Sequence, residues 1–159
     1  MAVPQPDLDG RSANLGEDSL AEAVQAGTSE FLTRVGQAFA AEEGWRSQLR
    51  AVAYEMLRFL QDDLERARLM VIESPTASER VRVIREDGIA ALVELIDRGR
   101  YELPNPDLIP RSTAEVTAGA IYNRMHVALE DDNLARGIEM VPELMFTVRS
   151  SPILVSRSH

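Results

Sequence analysis

The stretch that decides the fold, residues 112–151, reads STAEVTAGAIYNRMHVALEDDNLARGIEMVPELMFTVRSS. Up to Leu129 it carries apolar or small residues on nearly every side of a helix, whereas a surface helix normally has one apolar stripe. After the acidic break at residues 130–133, a second apolar segment occupies residues 134–148. Two such helices predict burial against a partner as well as in the chain's own core, and a two-fold homodimer is the commonest arrangement. The alternative is that both helices are central in the monomer.

The two predicted helices carry local signals of their own. Ser112 and Glu115 have the spacing of a capping box, which predicts that the first helix begins with Ser112 as its N-cap. Pro142 lies well inside the second apolar segment and predicts a kink there, because proline lacks the backbone N–H that a helix interior needs.

Composition narrows the class of protein. The 159 residues suffice for one domain with a real core, and the lack of cysteine excludes disulfides, thiolate zinc sites and cysteine nucleophiles. No signal-peptide pattern opens the chain and no apolar run has the length of a bilayer span, so we expect a cytoplasmic protein. The net charge is −9 and all 17 cationic residues are arginine, without the positive cluster that nucleic-acid binding uses. The arginine usage is typical of a GC-rich bacterial genome.

The rest of the chain also has helical periodicity. We predict a flexible leader at residues 1–17, a single helical domain at 18–151 and a flexible tail at 152–159. Gly27 and Gly36 weaken the middle of the first helix, so that a bend or two helices are possible there. No stretch alternates as a strand does, so the fold class is all-α, an antiparallel bundle of about six helices. The predicted helices lie at residues 17–43, 45–61, 64–73 (ended by Ser74-Pro75), 79–100 (capped by Ser78), 113–129 and 134–148.

No catalytic or metal-binding motif is found. There are two histidines and no Glu-x-x-His spacing, no phosphate-cradling glycine loop, no Gly-x-Ser-x-Gly elbow and no Rossmann fingerprint. We therefore predict no catalytic residue, no metal and no cofactor. His126 is more often a satisfied core or interface histidine than a ligand or a base.

Several segments resemble TetR-family transcriptional regulators. WRSQLRAV (residues 45–52), FL (59–60), LERARLMVIE (64–73) and REDGIAALVELIDRG (85–99) are similar to the middle of that family. MVPELMF (140–146) resembles its last helix, in which Val-Pro-Glu-Leu-Met followed by an aromatic residue is frequent. The resemblance covers roughly residues 19–152, and the order and spacing of the segments are more specific than any one of them.

The resemblance implies a function. In that family an N-terminal three-helix domain with a helix-turn-helix binds operator DNA, and an all-helical C-terminal domain binds an effector and dimerises through its last two long helices. Too few residues precede the first predicted helix for three more, so we expect that the DNA-binding domain is absent here. The implied partners are a second copy of the chain and a small-molecule effector, with operator DNA contacted only through the absent domain.

A glycine in the middle of a helix is costly, so Gly88 is predicted to allow a close helix approach or to border a space.

The resemblance also implies site residues. Each residue taken alone is at least as well explained as structural: Arg58 would pair with Asp62, and the tyrosines would be core residues with satisfied hydroxyls. The residues expected at the ligand are Tyr54, Met56, Leu57, Arg58, Met70, Ile84, Asp87, Gly88, Tyr122, Met125 and His126. Those expected at the dimer interface are Val116, Gly119, Ala120, Asn123, Val127, Ile138, Val141, Met145 and Val148.

Two other functions remain open. The chain could be a free-standing helical protein that binds a small molecule, or that dimerises with full-length relatives and inactivates them, without touching DNA. An enzyme on a helical scaffold is a third hypothesis, and it has the least support because no catalytic constellation stands out.

Overall fold

The computed structural model describes residues 8–131, with side chains from Gly16 onward, and all regular structure in this part is helical. The predicted all-α class is thereby confirmed for these residues. The predicted helix at 134–148, its kink at Pro142 and the predicted tail lie outside them. The five α-helices that the structure describes are α1 (Leu8–Ala40), α2 (Trp45–Asp62), α3 (Leu64–Arg68), α4 (Glu79–Arg100) and α5 (Ser112–Glu130).

Helix α1 is longer and more regular than its sequence predicts. It begins at Leu8, inside the segment expected to be a leader, and is assigned as one helix through Gly27 and Gly36. A proline lies at position 6 and the next one only at 75, so no proline interrupts the helix between Leu8 and Ala40. At Gly27 the missing side chain makes room for Met70, whose Sδ would lie 2.5 Å from an added Cβ. This tertiary contact offsets the weak helix propensity of glycine, which costs roughly 1 kcal/mol.

Helix α2 follows a tight turn at Gly44, whose φ of 84° is in the left-handed region that glycine tolerates. One face of α2 is buried, and it includes Leu49, Val52 and Met56 at helical spacing. Trp45 packs directly on α4, since a Cβ added at Gly99 would lie 2.1 Å from its Cδ1 atom. The chain between α1 and α2 is therefore fixed by a glycine turn and a tryptophan–glycine contact.

The segment after α2 changes its helical form. Asp63 caps α3 by accepting a hydrogen bond from the N–H of Arg66 at 3.0 Å. The chain then continues as a π-helix at Leu69–Glu73 and a 3₁₀-helix at Ser74–Thr76. The sequence predicts a single short helix over residues 64–73. The wider π turn was not predicted, and it places the backbone of Val71 beside α5, as described below.

Helix α4 begins and ends at the predicted residues. The Ser78 hydroxyl accepts a hydrogen bond from the N–H of Val81 at 3.4 Å, which confirms the predicted cap. Midway along α4, Gly88 lies against Thr28 of α1, because an added Cβ would come within 2.6 Å of the Thr28 Cγ2 atom. The predicted close helix approach at Gly88 is thus observed.

Arg100 holds the connection between α4 and α5. Its Nε atom lies 2.8 Å from the carboxylate of Asp97, a side chain only 6% exposed. Its Nη1 atom donates hydrogen bonds to the carbonyls of Pro106 and Ile109 at 3.1 and 2.9 Å. Hydrogen bonding to Asp97 raises the pKa of Arg100 above its usual value. One guanidinium therefore ties the end of α4 to the proline-rich segment that leads into α5.

The predicted cap of α5 is wrong. Ser112 is already the first helical residue, while Arg111 occupies the N-cap position with helical dihedral angles and no side-chain hydrogen bond. The N–H of Thr113 instead donates to the carbonyl of Pro110 at 3.0 Å. Because this turn carries the chain into the helix, Ser112 does not adopt the extended conformation that a capping side chain needs.

Helix α5 has two different faces. Its buried face packs against α4 and the π-helix, whereas the opposite face is open in the part of the chain that the structure describes. None of the helices between residues 8 and 131 combines the length and apolarity required to cross a bilayer. The buried face of α5 carries Ala114, Ala118, Ile121, Met125 and Leu129.

Candidate functional site

A small apolar cavity lies inside the helical bundle. It has a volume of about 60 Å³ and touches all five α-helices together with the π-helix. Ligand sites typically combine apolar walls with a few convergent polar groups, and this cavity has both. The lining residues are Val24, Thr28, Phe31, Phe59, Leu60, Ala67, Met70, Val71, Arg85, Gly88, Ile89, Leu92, Tyr122 and Met125.

Aromatic and sulfur-containing side chains form much of the wall. Phe31 and Phe59 meet edge to face with their ring centroids 5.3 Å apart. The outer side of Phe59 is covered by the Arg66 guanidinium, 4.3 Å from the ring centroid. Met70 and Met125 supply flexible walls, because an unbranched thioether can repack around guests of different shape.

The polar side of the cavity is an Arg85–Tyr122 pair. The Tyr122 hydroxyl donates a hydrogen bond to the carbonyl of Val71 at 3.1 Å. The same hydroxyl accepts one from Nε of Arg85 at 3.0 Å, and the guanidinium carbon lies 4.7 Å from the centre of the Tyr122 ring. The tyrosine thereby joins α4, α5 and the π-helix at one point, and the cation lies over its ring.

The π-helix contributes a backbone acceptor to this pair. Single-turn π segments recur at functional sites, because they displace backbone groups from the regular ladder. Here the turn brings the Val71 carbonyl to Tyr122, while the hydroxyl of Ser74 donates to the carbonyl of Met70. The cavity wall at this point is therefore a locally irregular helix held by side-chain hydrogen bonds.

Four of the residues predicted at the ligand are brought together here. Met70, Gly88, Tyr122 and Met125 all line the cavity. They come from the π-helix, α4 and α5, so residues far apart in the sequence share one wall. The prediction that Gly88 borders a space is consistent with this position, since it both contacts Thr28 and faces the cavity.

The residues predicted on α2 lie elsewhere. Met56 is 1% exposed in the main core, and Tyr54 and Leu57 are half-buried outside the cavity lining. Arg58 is exposed and pairs with Glu55 at 3.1 Å. Its expected partner Asp62 instead contacts Arg34 of α1 at 2.7 Å, so the predicted pairing of Arg58 with Asp62 is not observed.

The remaining predicted ligand residues are also outside the cavity. Asp87 is exposed on α4, and the half-buried His126 has its Nδ1 atom 3.5 Å from the carboxylate of Glu130. Ile84 lines a separate open groove of about 570 Å³ between α1 and the start of α4. The other residues of this groove are Ala21, Glu22, Gln25, Ala26, Glu79, Arg80 and Val83.

Sequence reasoning missed most of the aromatic and α1 wall, and it missed Arg85. A signal for Arg85 was present, since Arg85, Gly88, Ile89 and Leu92 follow the i, i+3, i+4, i+7 spacing of one helix face. An arginine within such a stripe indicates a cation turned toward the interior. For Phe31 and Phe59 the sequence shows apolar helix positions but not that they meet.

The described part of the predicted dimer interface forms the open face of α5. Val116 is 71% exposed and Val127 38% exposed, although both are apolar. Gly119 lies between them with no atom within 4 Å of an added Cβ, Asn123 is exposed, and Ala120 is half-buried. The other predicted interface residues, Ile138, Val141, Met145 and Val148, lie outside the described residues.

No protein-family model, curated protein or solved structure matches the chain. Within residues 16–131 no group of three or more His, Asp or Glu side chains is placed to hold a metal ion. The candidate functional features of the described residues are the cavity, its Arg85–Tyr122 pair and the open face of α5.

Proposed function

We propose that the chain is the effector-binding and dimerisation part of a TetR-like transcriptional regulator, in which a separate helix-turn-helix domain contacts operator DNA. The observation that carries the proposal is the apolar cavity in the middle of an all-helical bundle. Its walls come from the same middle helices and from α5, the elements on which the sequence resemblance to that family places an effector.

Ligand entry requires the cavity to grow. Its volume of about 60 Å³ is well below the roughly 300 Å³ at the lower end of ordinary ligand pockets. Rotation of Met70 and Met125 can enlarge it without breaking the backbone, because both side chains are flexible. A ligand that binds the enlarged form better than the closed one shifts the protein toward the enlarged form, and such a shift between helix arrangements is what a regulator transmits.

The open face of α5 supports the dimerisation part of the proposal. Exposed valines at positions 116 and 127 flank the small residues Gly119 and Ala120, over which a second helix can approach closely. An obligate interface typically buries about 2,000 Å² or more in total. We propose that this face of α5, together with residues 134–148, packs against the same surface of a second copy.

A thermal-shift screen with two matched pairs of variants tests the ligand site. Compounds from a set of metabolites and drugs that raise the melting temperature of the wild type are retested, because binding to the folded state stabilises it by mass action. We expect Tyr122→Ala and Met125→Ala, which alter the cavity wall, to reduce the affinity for such a compound.

The control variants are Tyr54→Ala and Met56→Ala, which carry the same substitutions at helix positions outside the cavity lining. We expect both controls to keep the wild-type affinity, even where the protein is less stable. Equal affinity in all four variants would place the ligand outside the cavity and overturn the proposed site.

A further inference from the structure

Arg85 differs from the other partly buried arginines of the described part. Four arginines between residues 16 and 131 are half-buried. Three of them pair with carboxylates: Arg34 with Glu55 at 2.6 Å, Arg66 with Glu30 at 2.6 Å, and Arg100 with Asp97 at 2.8 Å.

Arg85 makes no ion pair with a carboxylate among the described residues, and its hydrogen-bond partner there is the neutral hydroxyl of Tyr122. Removing a charge from water is costly unless an opposite charge compensates for it. The protein as a whole has a net charge of −9, so acidic side chains are plentiful. Arg85 is half-buried on the wall of an apolar cavity and pairs with no described acidic side chain. This is the environment of an anion-binding group.

We propose that the effector is a compact apolar carboxylic acid, whose carboxylate pairs with Arg85 and whose apolar part occupies the cavity beside Met70, Gly88 and Met125. This rests on the proposed function, because it names the class of ligand for the same cavity. The planar guanidinium can offer two parallel N–H donors to a carboxylate, which fixes the orientation of the acid. Among the described lining residues Arg85 is the one cation, and so the site suits a monoanion better than a phosphate group.

Tyr122 keeps Arg85 in position for this pairing. Nε of Arg85 donates a hydrogen bond to the Tyr122 hydroxyl, and the guanidinium lies over the ring of Tyr122. The terminal nitrogens of Arg85 have no hydrogen bond to another described residue. An entering carboxylate can therefore bind these nitrogens while the tyrosine remains on the carbonyl of Val71.

The test compares two acids with their neutral isosteres: benzoate with benzamide, and hexanoate with hexanamide. Isothermal titration calorimetry at neutral pH, where both acids are ionised, measures affinity for the wild type. We expect each acid to bind roughly tenfold or more tightly than its amide, as for a charge-assisted hydrogen bond. Arg85→Gln should remove this preference, because the acid loses a charge-assisted contact and the amide loses only a neutral hydrogen bond.

Arg82→Gln is the matched control, since it removes the same charge from an exposed arginine of α4 that pairs with Glu79 and Glu86. It should keep the acid preference. If circular dichroism shows that Arg85→Gln does not fold, Arg85→Lys decides. Lysine keeps the charge without the planar donor pair, so the acid should bind more weakly but still more tightly than the amide, and unchanged acid affinity overturns the pairing.

The outcomes separate this inference from the proposed function. A wild type that binds acids and amides equally overturns the inference and leaves a ligand-binding cavity standing. An acid preference that persists in Arg85→Gln overturns the assignment of the anion to Arg85. Failure of all four compounds to bind the wild type overturns the inference, whereas the proposed function stands or falls by the thermal-shift screen and its four variants.

Discussion

Helices α1 and α4 pack closely at Gly88. A methyl group added there meets the Cγ2 atom of Thr28 at 2.6 Å, whereas one added at Gly36 of α1 meets nothing within 4 Å. Thr28 is β-branched and buried, so it cannot simply rotate away. The same substitution is therefore expected to have opposite effects at these two glycines.

Gly88→Ala should lower the free energy of unfolding by about 1 kcal/mol or more, because the cost of overpacking exceeds the gain in helix propensity. Gly36→Ala should raise it by roughly 0.5–1 kcal/mol. Urea unfolding followed by circular dichroism measures both. Adding Thr28→Ser, which deletes the methyl group in the way, should restore the stability of Gly88→Ala, and no restoration would argue against this contact.

Tyr122→Phe isolates the hydroxyl that joins three elements. It leaves the Val71 carbonyl and Nε of Arg85 without their partner, which should cost about 1–3 kcal/mol in the free energy of unfolding. Tyr54→Phe is the matched control, because among the described residues the Tyr54 hydroxyl forms no hydrogen bond. The control should stay within about 0.5 kcal/mol of the wild type by chemical denaturation. Equal losses in the two variants would contradict the role given to Tyr122.

The sequence predicted the role of a single residue correctly only where that role depends on residues nearby in the chain. Ser78 caps α4 because its partner is three residues away. Ser112 has the same type of signal, but a turn from Pro110 carries the chain into α5 before it. The position of Arg85 depends on Tyr122 of another helix, so the helical spacing shows that it faces inward and not what it contacts.

At the scale of the element, α5 is divided along its length into a packed face and an open one. The open face bears Val116, Gly119, Asn123 and Val127, which follow one another at helical spacing. The sequence showed that α5 is apolar on more than one side. Which side packs on α4 followed only from the structure.

Gly119→Arg should convert the proposed dimer into a monomer, since a long charged side chain would enter the contact between the two α5 helices. Sedimentation velocity at micromolar concentration measures the mass. Gly36→Arg is the control, because position 36 is also helical and also open, but lies on α1. A wild type that is already a stable monomer, or a Gly119→Arg variant that keeps the mass of a dimer, would exclude this face as the interface.

Helix boundaries were predictable where capping residues and prolines mark them in the sequence. α4 lies between a serine cap and a proline-rich connection, and the predicted residues 79–100 are those observed. α1 was predicted too short because Pro4, Pro6, Gly10 and Gly16 indicate a leader, whereas the helix tolerates both glycines from Leu8 onward. The π-helix at Leu69–Glu73 has no sequence signature of this kind, because its form depends on contacts with α1 and α5.

At the scale of the whole molecule, the net charge of −9 sets an expectation about nucleic acid. The purified chain of this sequence should not bind DNA at about 0.15 M salt, because the charge of the phosphate backbone repels an acidic surface. A gel-shift assay with genomic fragments measures this, beside an arginine-rich DNA-binding protein as the positive control. Sequence-selective binding that weakens with added salt would contradict the expectation.

The cavity shows how far sequence reasoning reaches across the molecule. A cavity near Gly88 and four of its lining residues were predicted, because the resemblance implies an effector between the middle helices and α5, and the missing side chain of Gly88 leaves room there. The α2 residues were misplaced for a different reason. Periodicity shows which face of a helix is buried, and Tyr54 and Arg58 lie beside that face of α2. The rotation of α2 relative to the cavity is set by its packing with α1 and α4, which the sequence does not show.

The contact between Trp45 and Gly99 gives the protein a built-in optical reporter. Trp45 is the chain's single tryptophan, it is 8% exposed, and it does not line the cavity. Its emission therefore monitors the junction of α2 and α4, and a compound bound in the cavity does not touch it. A change in tryptophan emission on adding such a compound would report that the helices have moved relative to each other, and a silent titration would report occupancy without that movement.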